Sequence, residues 1–186
     1  DELQTVHVDS DLIAEIYENG HAKGDLDVPV NSAVILKSHD DSQSALAVQR
    51  KGWDLRLVEN HKVSGVEGRS AEQTIAISHL LDKDVKVVSL GGPAGTGKTM
   101  LALAAGVEQI LSNDTKYEKI VVFRSMFAVG QQSLGFLPGT AEEKVSPWTD
   151  AVFDALSAFL PQQTIDRLER EKRIKLAEFL REKDLR

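Results

Sequence analysis

The 186-residue chain contains no cysteine. Disulfides, thiolate zinc sites and thiol catalysis are thereby excluded together. No apolar run approaches the roughly 18 residues that a membrane-spanning helix needs, so no membrane partner is expected. Asp1-Glu2 opens the sequence where a signal peptide would carry a basic region and an apolar core. No signal peptide is therefore expected, and the simplest expectation is a cytoplasmic protein. Positive charge is also scarce. Twenty-two Lys and Arg stand against 29 Asp and Glu, a net of -7, which excludes a general nucleic-acid coat protein. The balance is uneven, because residues 163–186 carry eight basic and six acidic side chains. Any nucleic-acid contact should therefore be local. His7, His21, His39, His61 and His79 show no metal-ligand spacing. What remains, 41% apolar and 27% charged residues, is globular composition at a length suited to one domain or one domain with an appendage.

Three regions differ in pattern. Residues 1–62 predict a short helix and then a small β-rich connecting module. Asp9 or Ser10 can cap a helix with Leu12, Ile13, Ile16 and Tyr17 on one face, ended by Gly20. Residues 28–37, with Pro29 near the start, predict an edge strand. Residues 44–49 and 53–58 flank Arg50-Lys51-Gly52 and predict a hairpin. Residues 63–162 change rhythm. Ser70-Ala71-Glu72-Gln73 is a capping box ahead of Ile75, Ala76, Leu80 and Leu81. An apolar strand over 85–90, a Gly-rich turn, a helix from about Lys98 to Leu111 and a strand over 120–123 predict a parallel βαβ unit. A second capping box at 140–143 opens a helix with Val145, Trp148, Val152, Leu156 and Phe159 on one stripe. Residues 163–186 are charge-rich and predict a surface helix or helix pair. The expected class is α/β.

The sharpest motif is Gly92-Pro93-Ala94-Gly95-Thr96-Gly97-Lys98-Thr99, a complete G-x-x-x-x-G-K-[ST] phosphate loop. A polyphosphate is held by inward-pointing backbone N–H groups, and glycine lets the chain wrap that closely. The loop runs into a helix N-terminus, whose free N–H groups and partial positive charge favour anions. Lys98 is expected to reach the β and γ phosphates and the Thr99 hydroxyl to take one Mg²⁺ position. Lys98 and Thr99 are thus the candidate catalytic residues and Thr99 the metal ligand. Gly92, Pro93, Ala94, Gly95, Thr96, Gly97, Lys98, Thr99 and Met100 are the candidate nucleotide contacts.

From about residue 26 to residue 163 the sequence resembles the C-terminal part of PhoH-like ATPases, especially the form fused to an N-terminal PIN ribonuclease domain. The resemblance rests on Val66-Glu67-Gly68-Arg69-Ser70-Ala71-Glu72-Gln73, on residues 89–99 around the phosphate loop, and on Val121-Val122-Phe123-Arg124. It rests also on residues 129–139, which end Gly135-Phe136-Leu137-Pro138-Gly139, on Glu143-Lys144 and on Pro147-Trp148. It implies a P-loop NTPase core close to superfamily 1 helicases, a parallel sheet with flanking helices, and ATP with Mg²⁺. It implies RNA as substrate and a homo-oligomeric ring, commonly a hexamer. In helicase-like relatives a Gln near position 73 reads adenine, since a carboxamide donates and accepts on one base edge. The alternative for Gln73 is the capping box. Arg124 should stand at the C-terminal edge of the sheet, facing phosphate, a neighbouring subunit's nucleotide or RNA. The family usually has Arg-Pro there, and this chain has Arg124-Ser125. Gly135, Pro138 and Gly139 are expected to shape a loop near the RNA or subunit face, or simply a turn.

The second acidic residue that hydrolysis needs, which the family places in an Asp-Glu-Ala-Gln-like segment, is not found in the sequence. The sequence is therefore expected to be part of a longer protein. Arg173-Ile174-Lys175-Leu176-Ala177 resembles the start of the family's next strand. Two alternatives stand beside an ATPase: a P-loop kinase acting on a small acceptor, and a non-catalytic, nucleotide-gated binding or assembly module.

Overall fold

A computed structural model describes residues 3–113, 117–125 and 141–179, without the side chains of 124, 125, 141–148 and 177–179. The fold is mixed α/β, with five helices and two sheets among the described residues. It divides into two compact units: Asp1–Lys62 with Glu67–Gly91, and Val63–Val66 with Gly92–Arg186.

The first unit is built on a five-stranded sheet. Its strands are β1 (Gln4–Val8), β2 (His21–Lys23), β3 (Ala33–Ser38), β4 (Ser44–Arg50) and β5 (Asp54–Leu57), in the order β1-β3-β4-β5-β2. Helix α1 (Ser10–Asn19) starts after the extended Asp9, whose side chain makes no capping bond, and ends at left-handed Gly20 as expected. Ile13 and Ile16 of α1 are buried against Ala22, Val34, Leu36, Ala45, Ala47 and Leu55. Alternate positions of β3 and β4 thus supply one apolar face to a helix stripe, which is why two different periodicities in one stretch of sequence meet in one core. The hairpin expected across Arg50-Lys51-Gly52 is present as the antiparallel pair β4–β5.

Two expectations for this unit are corrected. The strand predicted over 28–37 begins only at Ala33 and lies inside the sheet, paired on one side with β1 and on the other with β4. Pro29 stays in the preceding turn, where its carbonyl accepts from the Ser32 N–H at 3.0 Å, so it removes no ladder bond. The parallel strand β1, which the sequence pattern does not announce, takes the edge position. In helix α2 (Ala71–Leu81) the buried residues are Thr74 and Ile77, while the four apolar positions named from the sequence are only half-buried.

The turn between β3 and β4 turns on Asp40. Its carboxylate accepts from the Ser38 hydroxyl at 2.6 Å, the Ser42 hydroxyl at 2.8 Å and the Ser42 N–H at 3.1 Å. The Ser38 bond above all, then those of Ser42, hold its pKa down at about 2, against an ordinary 3.8. Because the folded value is depressed, the turn is favoured above the unfolded value and that contribution is lost as pH falls through the folded one. Asp40 should therefore titrate near 2 by carboxyl NMR, and Asp40→Asn should flatten the acid limb of the stability curve between pH 4 and 2. A normal Asp40 titration would contradict the turn geometry.

The second unit holds α3 (Lys98–Leu111), β6 (Ile120–Ser125), α4 (Ala141–Ser157), α5 (Gln162–Arg170) and β7 (Ile174–Phe179). Strands β6 and β7 pair in parallel from Ile120↔Ile174 to Ser125↔Phe179. Leu103, Val107 and Ile110 of α3, Val152 and Leu156 of α4, Ile165 and Leu168 of α5 and Ile174 of β7 make one buried cluster. Ile120 and Val122 pack against it, while Val121 and Phe123 point away and are exposed, the alternation a strand imposes. Arg173 closes the far end of α3: its guanidinium donates to the Ile110 carbonyl and, at 3.0 Å, to the Glu118 carbonyl. A cation there suits the negative end of the helix dipole.

Two further expectations change. Residues 85–90 take no regular secondary structure and form no ladder among the described residues, and Val87 is 86% exposed. β-branched residues favour the extended shape, but a strand also needs a partner for its backbone groups. The parallel pair is β6–β7, joined through α4 and α5, rather than a βαβ unit from 85–90 to β6. The region after 162, expected as a surface helix or helix pair, is the helix α5 followed by the strand β7. Ile174 and Leu176 share one face of that strand and pack in the core of this unit. The segment 129–139 with Gly135, Pro138 and Gly139, and the cap at Thr140, lie outside the described residues, as do the side chains of Glu143 and Lys144. No helix among the described residues is long and apolar enough to cross a membrane.

Candidate nucleotide-binding site

The loop 92–97 owes its shape to three glycines. Gly92, Gly95 and Gly97 have φ of 141°, 79° and 79°, values that side chains with a Cβ resist. Thr96 braces the curve by donating its hydroxyl to the Pro93 carbonyl at 2.9 Å. Gly97 is the N-cap of α3 and offers no side chain to its free amides. The first intrahelical bond is Leu101 N–H to the Gly97 carbonyl at 2.9 Å, so the N–H groups of Lys98, Thr99 and Met100 have no acceptor within the helix.

Lys98 turns back over this loop. Its ammonium donates to the Gly92 carbonyl at 2.9 Å, to the Pro93 carbonyl at 2.5 Å and to the Thr96 hydroxyl at 3.1 Å. Three donors thus meet three neutral acceptors from the loop itself. This arrangement can exchange neutral acceptors for an anionic oxygen, since charge-assisted hydrogen bonds are roughly twice as strong as neutral ones. Thr99 is exposed in the first turn and Met100 is half-buried. The helix is anchored from behind by the buried Leu103, Val107 and Ile110, and by Glu108, which accepts from the Ser64 N–H at 2.6 Å and hydroxyl at 3.1 Å. Glu108 was not singled out by sequence, because an exposed-looking Glu on an amphipathic helix carries no signal of a partner 44 positions away.

Gln73 belongs to the first unit. Its N–H donates to the Ser70 hydroxyl at 3.3 Å and its carboxamide oxygen accepts from the Arg69 N–H at 2.8 Å. The capping alternative is thus realised, with the return bond one residue earlier than the usual box. The Ser70 hydroxyl also holds the Glu72 carboxyl below its ordinary pKa. The same turn explains Gly68: a Cβ there would stand 2.5 Å from Thr74 Oγ1 and 2.7 Å from Thr74 N. Asn60 clasps it, donating to the Gly68 carbonyl at 2.9 Å and accepting from its N–H at 3.1 Å. Asn60 was missed by sequence for want of any local pattern. Arg124 lies within β6 rather than after it, second from its end, with Glu178 as register partner. Among the described residues no group of three or more His, Asp or Glu is placed to hold a metal ion.

Against known proteins, the family profile described as PhoH-like protein matches residues 65–185. The chain is 43% identical over 143 residues to Protein PhoH2 of Thermobispora bispora, covering 76% of this chain and 32% of that protein. It is 50% identical over 109 residues to Protein PhoH2 of Mycolicibacterium smegmatis, covering 59% and 25%. It is 33% identical over 168 residues to Protein PhoH2 of Bacillus subtilis, covering 84% and 38%. The chain therefore spans about a third of the length of these curated relatives. No solved structure matches it significantly. The family match runs through the glycine loop, α3 and the β6–β7 pair, and it covers well over half of the sequence: the chain belongs to the PhoH-like protein family.

Proposed function

We propose that the chain is the nucleotide-binding part of a PhoH-like ATPase that hydrolyses ATP with Mg²⁺ and, in the intact protein, couples this to RNA remodelling within a homo-oligomeric ring. The observation that carries the reading is Lys98: its ammonium is poised over a loop of three positive-φ glycines that opens into an uncapped helix N-terminus. The donor set suits a magnesium-bound triphosphate. Backbone N–H groups of residues 92–100 would surround the phosphates, Lys98 would take the β and γ oxygens, and the Thr99 hydroxyl would be a ligand of the metal. The ion supplies neutralisation of phosphate charge when bound. The chain's own residues orient the phosphates and bring fixed positive charge to where negative charge grows. Arg124 would face phosphate, RNA or a neighbouring nucleotide from the C-terminal edge of β6. The acid that positions the attacking water is assigned to the longer protein.

Product analysis tests the reading. ATP and Mg²⁺ incubated with the intact protein should yield free phosphate with no acceptor present, faster when RNA is added. A phosphorylated small molecule would make it a kinase. Tight ATP binding with no phosphate release by the intact protein would make it a binding module.

A further inference from the structure

The turn between β4 and β5 carries a feature that neither packing nor backbone preference explains. Trp53 adopts φ of 58° and is 66% exposed. A bulky residue in the left-handed region is an outlier that costs conformational energy, and here the indole regains little of that by burial. Its surroundings are cationic in an otherwise acidic unit. Residues 1–62 hold six Lys and Arg against twelve Asp and Glu, yet four of the six, Lys23, Arg50, Lys51 and Arg56, gather at this end of the sheet. Arg50 is committed to Asp82 at 2.8 Å and to the Asn31 carboxamide oxygen at 2.7 Å. The other three are exposed, and Lys23 also donates to the Gly52 carbonyl at 3.2 Å. Lys51 is exposed with no ion pair among the described residues. Lys23 and Arg56 share one carboxylate: Asp54 lies 3.9 Å from the Lys23 ammonium, 3.0 Å from the Arg56 guanidinium and 3.7 Å from the His21 ring. A polar cavity of about 350 Å³ adjoins the turn, lined by Asn31, Arg50, Lys51, Asp54, Arg56 and Asp84 among others.

We propose that this turn and the β2–β5 edge form a contact for single-stranded nucleic acid, with the Trp53 indole stacked on one base and Lys23, Lys51 and Arg56 taking backbone phosphates. Flat aromatic faces interleaved with cations are what a sequence-tolerant single-strand site requires. Lys23, Arg50, Lys51 and Arg56 exceed the carboxylates of Asp54, Asp82 and Asp84 by one, and Lys51 brings the unpaired charge to the turn beside Trp53. The proposal deepens the RNA reading above and rests on it for the partner.

The test is fluorescence anisotropy of a labelled twelve-residue oligouridylate with the full chain at low salt. Trp53→Gly should weaken binding by about tenfold or more, the range of one lost base stack. Glycine suits the left-handed turn, so this variant should melt no lower than the parent, and lost affinity will not be lost fold. Lys51→Glu and Arg56→Glu should each weaken binding and shrink the salt slope by about 0.7 per phosphate contact. In a Trp148→Phe background the oligomer should quench Trp53 emission. If the parent chain binds RNA and Trp53→Gly binds it equally well, the contact lies elsewhere and the RNA reading stands. If the parent chain does not bind the oligomer, this site falls, while the RNA reading is still decided by whether RNA speeds ATP hydrolysis by the intact protein. If a polyglutamate peptide displaces the oligomer and its own binding ignores Trp53→Gly, the patch is an acidic-protein contact and the proposal is overturned.

Discussion

Lys98→Ala is expected to weaken binding of magnesium-bound ATP by at least a hundredfold while leaving the fold intact. In the free protein the ammonium makes three hydrogen bonds to neutral loop acceptors at an exposed site, so its removal costs little stability. With a triphosphate bound, the same group would face anionic oxygens, where each hydrogen bond to a charged partner contributes about 1.5–3 kcal/mol. Losing two such bonds corresponds to roughly two to four powers of ten in Kd. Isothermal titration calorimetry with ATP and Mg²⁺, alongside thermal melts of both proteins, separates the two effects. An unchanged Kd in a well-folded variant would remove the phosphate loop from the proposal. A collapse of the melt instead would mean that Lys98 holds the loop together, contrary to its exposed setting.

The second large effect concerns what stands behind that loop. Leu168→Ala should destabilise the second unit by about 2–5 kcal/mol, the usual cost of emptying a buried leucine site. Leu168 is fully buried in the cluster that joins α5 to α3, α4 and β7. Little nearby can collapse into the space, because every neighbour is anchored on its own helix or strand. With a urea dependence of about 2 kcal/mol per molar, a loss near the middle of that range, about 3.5 kcal/mol, lowers the midpoint by about 2 M. Nucleotide affinity, measured well below that midpoint, should stay near the parent value, because no residue of the loop is touched. A shift below about 0.5 kcal/mol would be surface behaviour and would contradict the packing of α5.

The shape of the glycine loop was legible because each of its parts is local. Glycine positions, a lysine and a threonine within eight residues determine a curve and a donor set without reference to the rest of the chain. The observed φ values at Gly92, Gly95 and Gly97, and the start of α3 at Lys98, follow that local logic. The hairpin at Arg50-Lys51-Gly52 and the stop of α1 at Gly20 are local in the same sense. Residues 85–90 and 174–179 were read less well, for a common reason. Both are short apolar stretches whose class depends on a partner: Ile174–Phe179 finds one in β6, and residues 85–90 find none among the described residues. Charge density around residue 174 suggested a helix, yet the resemblance of residues 173–177 to a family strand, with Ile174 and Leu176 two positions apart, was the better signal.

The family and the curve of the glycine loop were determined by sequence alone, since closely spaced residues act on one another through the backbone that joins them. Tertiary structure alone decided that β1 rather than β3 would form the sheet edge, that Asn60 would clasp Gly68, that Arg173 would close α3, and that cations from β2, the β4–β5 turn and β5 would gather near Trp53. Those contacts join residues far apart along the chain. Their free energy depends on which surfaces folding brings together, and no local pattern records that.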